Sequence, residues 1–95
     1  MNEQYLRNVI EAALLAAGKP LAAIELHELF DEFERPDLEA VQAALAQLAA
    51  EYEGRGIELR EVASGWRIQV RDSVAAPVSR LWQERPAKYS RAFLE

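Results

Sequence analysis

The sequence contains no cysteine, only one histidine and no long apolar run. The lack of cysteine excludes disulfide bonds, thiolate-bound metals and cysteine nucleophiles, and it suits the reducing cytosol. No stretch approaches the roughly 18 apolar residues that a membrane span requires, and the first residues lack the basic-then-apolar pattern of a secretory signal. We therefore expect a cytoplasmic protein that does not contact a membrane.

Residues that could carry catalysis or bind a cofactor are also scarce. His27 is the single histidine, and no second ligand stands at metal-binding spacing, so a structural role is expected for it. The serines have no neighbouring base, and the glycines fall at helix ends and turns, where they cannot form a phosphate-binding loop. We predict a protein that is not an enzyme and that has no metal or cofactor.

The charge is unevenly divided along the 95 residues, which are enough for one domain. Residues 1–54 hold eleven acidic and three basic residues, while residues 55–94 hold four acidic and eight basic ones. The net charge is -5. Because nonspecific binding to nucleic acids depends on lysine and arginine displacing counterions, this charge argues against a general polyanion binder.

Apolar residues recur at three- and four-residue spacing through the first half of the chain and predict three helices. The first helix should end at Gly18 in a left-handed cap, and Pro20 then imposes an extended connection with room for one bridge of sheet. The second helix is expected over residues 23–33, and the third from an N-cap at Asp37 to about Tyr52. The apolar faces of these two helices comprise Leu26, Leu29, Phe30, Phe33, Leu38, Val41, Leu45, Leu48 and Tyr52.

A β-hairpin is predicted after the third helix, because apolar and polar residues alternate on both sides of a turn at 63–65. Gly65 can supply the positive φ angle that such a turn needs. A short fourth helix is expected over residues 73–83, with Trp82 in or at the edge of the core and Pro77 tolerated near the helix start. The inward-facing residues of the hairpin should be Ile57, Leu59, Trp66, Ile68 and Val70.

This order of elements predicts an α+β winged helix, in which helices two and three form a helix-turn-helix and the hairpin forms the wing. The fold alone does not imply binding to DNA. In this geometry the third helix would enter the major groove, yet residues 37–53 contain four acids and no base. Since bases and phosphates are contacted mainly by arginine and lysine, DNA reading by this helix is not expected.

The wing leaves an alternative open. Arg67 and Arg71 could contact phosphates, as in a winged-helix DNA-binding transcriptional regulator. Glu58 and Glu61 lie between the basic residues, however, and leave the hairpin nearly neutral. A solvated strand face with cross-strand ion pairs is the favoured interpretation, and direct binding to DNA is expected to be weak or absent.

Surfaces for protein partners remain. Leu15 falls on the polar side of the first helix, and Ile24 lies opposite the apolar face of the second. The outer face of the third helix is rich in alanine, which permits close approach of another backbone, and it includes Ala43 and Gln47. These four residues are the candidate interface, although Leu15 could simply be exposed and Ile24 could pack at the helix entry.

Three stretches resemble one family. They are IEAALLAAGKPL in the first helix, LAAEYEGRGIELREVASGWRIQVR through the third helix and the wing, and ERPAKYSRAFLE at the end. Together they are similar to the N-terminal part of the bacterial segregation and condensation protein B (ScpB) family. The second stretch is the most specific.

The resemblance implies a protein of two tandem winged-helix domains, with residues 1–84 as the first and residues 85–95 as a linker and the start of the second. It implies a homodimer that binds the kleisin ScpA and, through it, SMC in a condensin-like, nucleoid-associated complex for chromosome condensation and segregation. The N-terminal domains should supply much of the self-contact and the C-terminal domains much of the kleisin contact. Ala22-Ala23-Ile24 departs from the family's more polar entry to helix two, which makes Ile24 a possible contact residue.

Overall fold

Helix α1 (Glu3–Ala17) opens the fold in a computed structural model that describes residues 1–83. The side chain of Asn2 caps it by accepting hydrogen bonds from the backbone N–H groups of Gln4 and Tyr5 at 2.7 and 3.1 Å. Gly18 ends the helix at φ 67°, as predicted. One side of α1 is buried along its whole length through Leu6, Ile10 and Leu14.

Helix α2 (Ala23–His27) is shorter than the predicted 23–33, and the prediction was wrong beyond His27. The N–H of Leu29 donates to the carbonyl of Leu26, three residues back, so the α-helical pattern has already ended there. Further on, the carboxylate of Asp31 accepts hydrogen bonds from the N–H groups of Phe33 and Glu34 and favours a turn. The early end keeps Leu26 and Phe30 buried but turns two predicted core residues outward. Leu29 and Phe33 are exposed.

Helix α3 (Leu38–Glu51) begins after Asp37, at the predicted cap position, but the side chain of Asp37 makes no capping hydrogen bond. Val41, Leu45 and Leu48 are buried as predicted, and Tyr52 is buried just beyond the helix end. Leu38 lies at the exposed first turn. The core that results is a contiguous cluster comprising Leu6, Ile10, Leu14, Leu26, Phe30, Val41, Ala44, Leu45, Leu48, Tyr52 and Leu59.

The wing consists of antiparallel strands β1 (Ile57–Val62) and β2 (Gly65–Val70), in register with Leu59 opposite Ile68. Leu59 is buried, and Trp66 and Ile68 pack against the core, as the alternation predicted. Ile57 and Val70 lie on the same face but are exposed at the open end of the hairpin, beyond the edge of the core. The prediction therefore named the correct face of the hairpin, but only its middle part packs against the core.

A single bridge of sheet joins the helical half to the wing. The backbones of Leu21 and Trp66 exchange two hydrogen bonds, at 2.9 and 2.7 Å. Gly65 lies beside this bridge with φ 142°, and a Cβ atom placed there would come within 2.3 Å of the carbonyl carbon of Leu21. Glycine is therefore required twice, by the backbone conformation and by the close approach.

Helix α4 (Asp72–Ser79) follows the wing and passes into a short 3₁₀ turn, Arg80–Trp82. The fourth helix was predicted, but Pro77 lies past its first turn and Trp82 is not a core residue, since 82% of it is exposed. α4 buries none of its side chains fully. The predicted linker at 85–95 lies outside the described residues.

Replacing Gly65 by alanine should destabilise the fold by roughly 2 kcal/mol or more, because the methyl group would push against the Leu21 backbone. Gly54→Ala is the matched control. Gly54 also has a positive φ, 81°, but open space surrounds its Cβ position, so about 1 kcal/mol is expected. Urea unfolding of both variants measures the difference, and equal losses would contradict the role given to the bridge.

Candidate protein-interaction surfaces

The outer face of α3 carries two of the predicted interface residues, Ala43 and Gln47, and both are exposed. Gln47 is already engaged, because its side-chain oxygen accepts a hydrogen bond of 2.7 Å from the guanidinium group of Arg7 on α1. A nitrogen of Arg7 also lies 3.4 Å from the carboxylate of Glu51. Arg7, a cation beside this face, is thus paired within the molecule, and among residues 1–83 the face of α3 is neutral to acidic.

Leu15 lies at the C-terminal end of α1 with 66% of its surface exposed. It borders a recess of about 240 Å³ between this helix end and strand β2. We call it the Lys19 recess, and its lining residues are Leu14, Leu15, Gly18, Lys19, Pro20, Arg67 and Ile68. The structure therefore brings the predicted contact Leu15 together with Arg67, a residue predicted from the sequence for a different partner.

Ile24 lies apart from Leu15, at the start of α2, and is 48% exposed. The apolar entry predicted a helix without a good cap, and the side chain of Ala22 indeed offers none. Glu25 compensates in part, since its carboxylate accepts a hydrogen bond of 2.8 Å from the backbone N–H of Ala22. The helix is thus capped by its own Glu25 side chain, and Ile24 remains partly exposed at the surface.

A further surface was missed in the sequence. Phe33, counted there as a core residue, is 96% exposed at the tip of the connection between α2 and α3. Beside it is an open groove of about 750 Å³ whose apolar lining includes Tyr5, Leu6 and Pro36. The signal available in the sequence was Asp31, a residue type that favours turns over helix interiors, followed closely by Pro36.

The wing arginines differ in what they contact. Arg60 and Arg67 lie directly opposite each other on the two strands, and Nε of Arg67 donates a hydrogen bond of 2.7 Å to the side chain of Gln69. Arg60 is exposed and has no side-chain partner within residues 1–83. Arg60 and Arg67 thus form none of the expected cross-strand ion pairs among residues 1–83. An ion pair does join Glu58 of β1 to Arg71, just beyond β2, at 3.4 Å.

The side chain of Arg71 holds two parts of the fold together and is not a free cation. Its guanidinium group donates hydrogen bonds of 2.9 Å to the carbonyl oxygens of Tyr52 and Arg55, beyond the C-terminal end of α3. Its backbone N–H also donates to the carbonyl of Gly56 at 2.8 Å. These bonds hold the end of the wing against the end of α3, so the side chain of Arg71 is half-buried and largely committed.

Tyr52 links α3 to α1 on the other side of the same junction. Its hydroxyl group donates a hydrogen bond to the carboxylate of Glu11. Burial and this hydrogen bond to a neighbouring negative charge raise the pKa of Tyr52 well above its ordinary value of 10.0. The phenol therefore stays neutral in the folded protein under conditions in which an unfolded chain would begin to ionise it.

Neither a metal site nor a membrane helix emerges in the described part of the chain. No three side chains of His, Asp or Glu among residues 1–83 cluster closely enough to hold a metal ion. None of the described helices combines the length and apolarity needed to span a bilayer. The surfaces that remain are the outer face of α3, the start of α2, the Lys19 recess and the Phe33 groove.

Three helices, one bridging residue and a two-stranded wing define a winged-helix domain. The chain belongs to the family of segregation and condensation complex subunit ScpB, whose model matches residues 8–95. Over its whole length, the chain is 44% identical to the segregation and condensation protein B homolog of Coxiella burnetii and 38% identical to the segregation and condensation protein B of Syntrophotalea carbinolica. It spans about half of these relatives, 46% and 47% of their lengths.

Solved structures agree with this assignment and confirm the predicted fold. The crystal structure of ScpB from Mycobacterium tuberculosis has a TM-score of 0.76 and 30% identity, over 90% of this chain and 55% of that one. A dimer of an ScpB N-terminal domain complexed with an ScpA peptide has a TM-score of 0.68 and 26% identity, over 82% of this chain and 95% of that one. In that relative the peptide complex involves the N-terminal domain, to which we assigned mainly self-contact.

Replacing Arg71 by alanine should lower the free energy of unfolding by about 2 kcal/mol, since two carbonyl groups lose a charged donor and Glu58 loses its cation. Arg60→Ala removes an equal charge from the same wing and should change stability by less than about 0.5 kcal/mol. Urea unfolding of the two variants makes the comparison. Equal stability would show that Arg71 is as available to a partner as Arg60.

Tyr52 should make the protein sensitive to alkali. Because the folded-state pKa is raised, the unfolded chain releases the proton first, so stability falls above about pH 10 by up to about 1.4 kcal/mol per pH unit. Tyr52→Phe should be less stable than the wild type by about 1 kcal/mol at pH 7, because the bond to Glu11 is lost. This difference in unfolding free energy should narrow above about pH 10.

Tyr5→Phe, which removes an exposed phenol, is the control. Unfolding curves from pH 7 to about pH 11 test this, and a constant gap between wild type and Tyr52→Phe would contradict it.

Proposed function

We propose that this chain is a non-enzymatic subunit of the bacterial SMC–kleisin complex that acts in chromosome condensation and segregation. In this role it forms a homodimer and binds the kleisin ScpA, through which it joins SMC in the nucleoid-containing cytoplasm. The observation that carries the proposal is the relative solved as an N-terminal-domain dimer with an ScpA peptide. The present chain shares that domain's fold over 95% of its length.

The surface of α3 supports a protein partner over DNA. A recognition helix needs cations for phosphates and donors for base edges, and residues 38–51 offer neither lysine nor arginine. Arg7, a cation that lies beside α3, is held by Gln47 and Glu51. A neutral face with exposed alanines suits close packing against another protein. Ala43 and Gln47 therefore remain predicted contacts, as do Leu15 and Ile24.

The alternative, a transcriptional regulator whose wing contacts phosphates, is favoured only by the opposed pair Arg60 and Arg67. Two like charges side by side on an exposed strand face would be relieved by a phosphate. Two such residues would supply only a weak, salt-sensitive affinity, because each phosphate contact adds modestly to binding. Arg71, the other predicted contact, would have to give up its bonds to α3.

Binding to ScpA is the direct test. Isothermal titration of the chain with ScpA from the same organism should show saturable binding, micromolar or tighter, as expected for a standard protein interface. The same preparation titrated with duplex DNA at about 150 mM salt is the control and should show no saturable heat. Binding to DNA without binding to ScpA, for the chain alone and for the protein at its full length, would reverse the assignment.

A further inference from the structure

The Phe33 loop (residues 31–34) holds an aromatic ring out in solvent on a rigid support. The carboxylate of Asp31 accepts hydrogen bonds from the N–H groups of Phe33 and Glu34 at 3.0 and 3.1 Å. The two residues that flank the loop are also joined, since the guanidinium group of Arg35 donates two hydrogen bonds to the carbonyl of Phe30, at 3.1 and 3.0 Å. The loop is thus ordered before any partner arrives, which removes part of the entropic cost of binding.

The chemistry of this loop defines what it can bind. Phe33 is flanked by Asp31, Glu32 and Glu34, all of them exposed, and none of the three forms an ion pair within residues 1–83. A solvent-exposed phenyl ring gains most by entering an apolar pocket, as aromatic anchors of protein interfaces do. The surrounding carboxylates require that the rim of the pocket be basic.

The Lys19 recess has this composition. Its apolar lining comes from Leu14, Leu15 and Ile68, and Lys19 and Arg67 supply two cations at its edge. Neither cation forms an ion pair within the described part of the chain. The recess combines an exposed leucine with unpaired positive charge, which is the complement of an exposed phenylalanine with unpaired negative charge.

The loop cannot reach the recess of its own chain. The Phe33 groove includes Tyr5 at the N-terminal end of α1, whereas the recess includes Gly18 just beyond the C-terminal end. A helix rises 1.5 Å per residue, so the 15 residues of α1 hold the two features roughly 20 Å apart. The match in charge and apolarity can be satisfied only between two molecules.

We propose that the Phe33 loop of one molecule docks in the Lys19 recess of a second copy. Because the two surfaces differ, the contact is head-to-tail and leaves one free loop and one free recess, so it can extend to further copies. This goes beyond the proposed function, since a two-fold dimer buries the same surface on both subunits and binding to ScpA does not require the contact. The charged rim makes the association weaken with salt.

Complementation between defective variants tests the proposal. Phe33→Ala keeps the recess and loses the anchor, whereas Lys19→Glu/Arg67→Glu keeps the anchor and reverses the charge of the recess. Each alone should self-associate at least about tenfold more weakly than the wild type. An equimolar mixture still contains one intact loop and one intact recess, so its heterotypic affinity should return to within about twofold of the wild-type value.

The triple variant Phe33→Ala/Lys19→Glu/Arg67→Glu is the matched control, because it cannot pair head-to-tail with any of the others. A two-fold dimer through another surface would persist in the wild type, in both defective variants and in the triple variant. Sedimentation velocity of labelled proteins therefore distinguishes that dimer from the head-to-tail contact. Urea unfolding verifies that each variant is folded. A mixture that behaves like the triple variant, or a wild type that associates no more than the triple variant, overturns the proposal. Unchanged binding to ScpA by all variants would keep this result separate from the proposed function.

Discussion

The burial of one side of α1 against α3 and the wing is the constraint on which the remaining surfaces depend. Leu6, Ile10 and Leu14 occupy this interface from one end of the helix to the other. Leu6 also contributes to the groove beside Phe33, and Leu14 to the Lys19 recess. A single helix therefore sets the separation of the two exposed features.

A second constraint is the junction where the wing meets the end of α3. Tyr52 is buried there, its hydroxyl group faces Glu11, and its carbonyl oxygen accepts a bond from Arg71. Arg55 lies over the Tyr52 ring, with 5.5 Å between its guanidinium carbon and the ring centre. Two of the cations that make the second half of the sequence basic, Arg55 and Arg71, are used to assemble this junction. Counting charges thus overstates the cationic surface that a nucleic acid would meet.

Apolar periodicity and turn residues predicted the order of elements and the winged-helix fold, because both are local properties of the sequence. The family was predicted separately, from the resemblance of three stretches of the chain to ScpB proteins. The length of α2 was not predictable from its apolar spacing. Leu29 and Phe33 continue the helical period, but the backbone leaves the α-helical pattern at Leu29, whose N–H donates to the carbonyl of Leu26. The bonds of Asp31 to Phe33 and Glu34 then form a turn.

Some features of the candidate surfaces could likewise be predicted from the sequence, and others could not. The sequence by itself determined that α3 presents a face without lysine or arginine and that Leu15 and Ile24 fall outside the apolar stripes, since both follow from helical spacing. Only the tertiary structure decided that Gln47 is bonded to Arg7, that Arg71 is committed to the end of α3, and that Leu15 lies beside Arg67. The physical reason is that these residues are far apart in the chain, and the packing of α1, α3 and the wing brings them together in a way that no local pattern encodes.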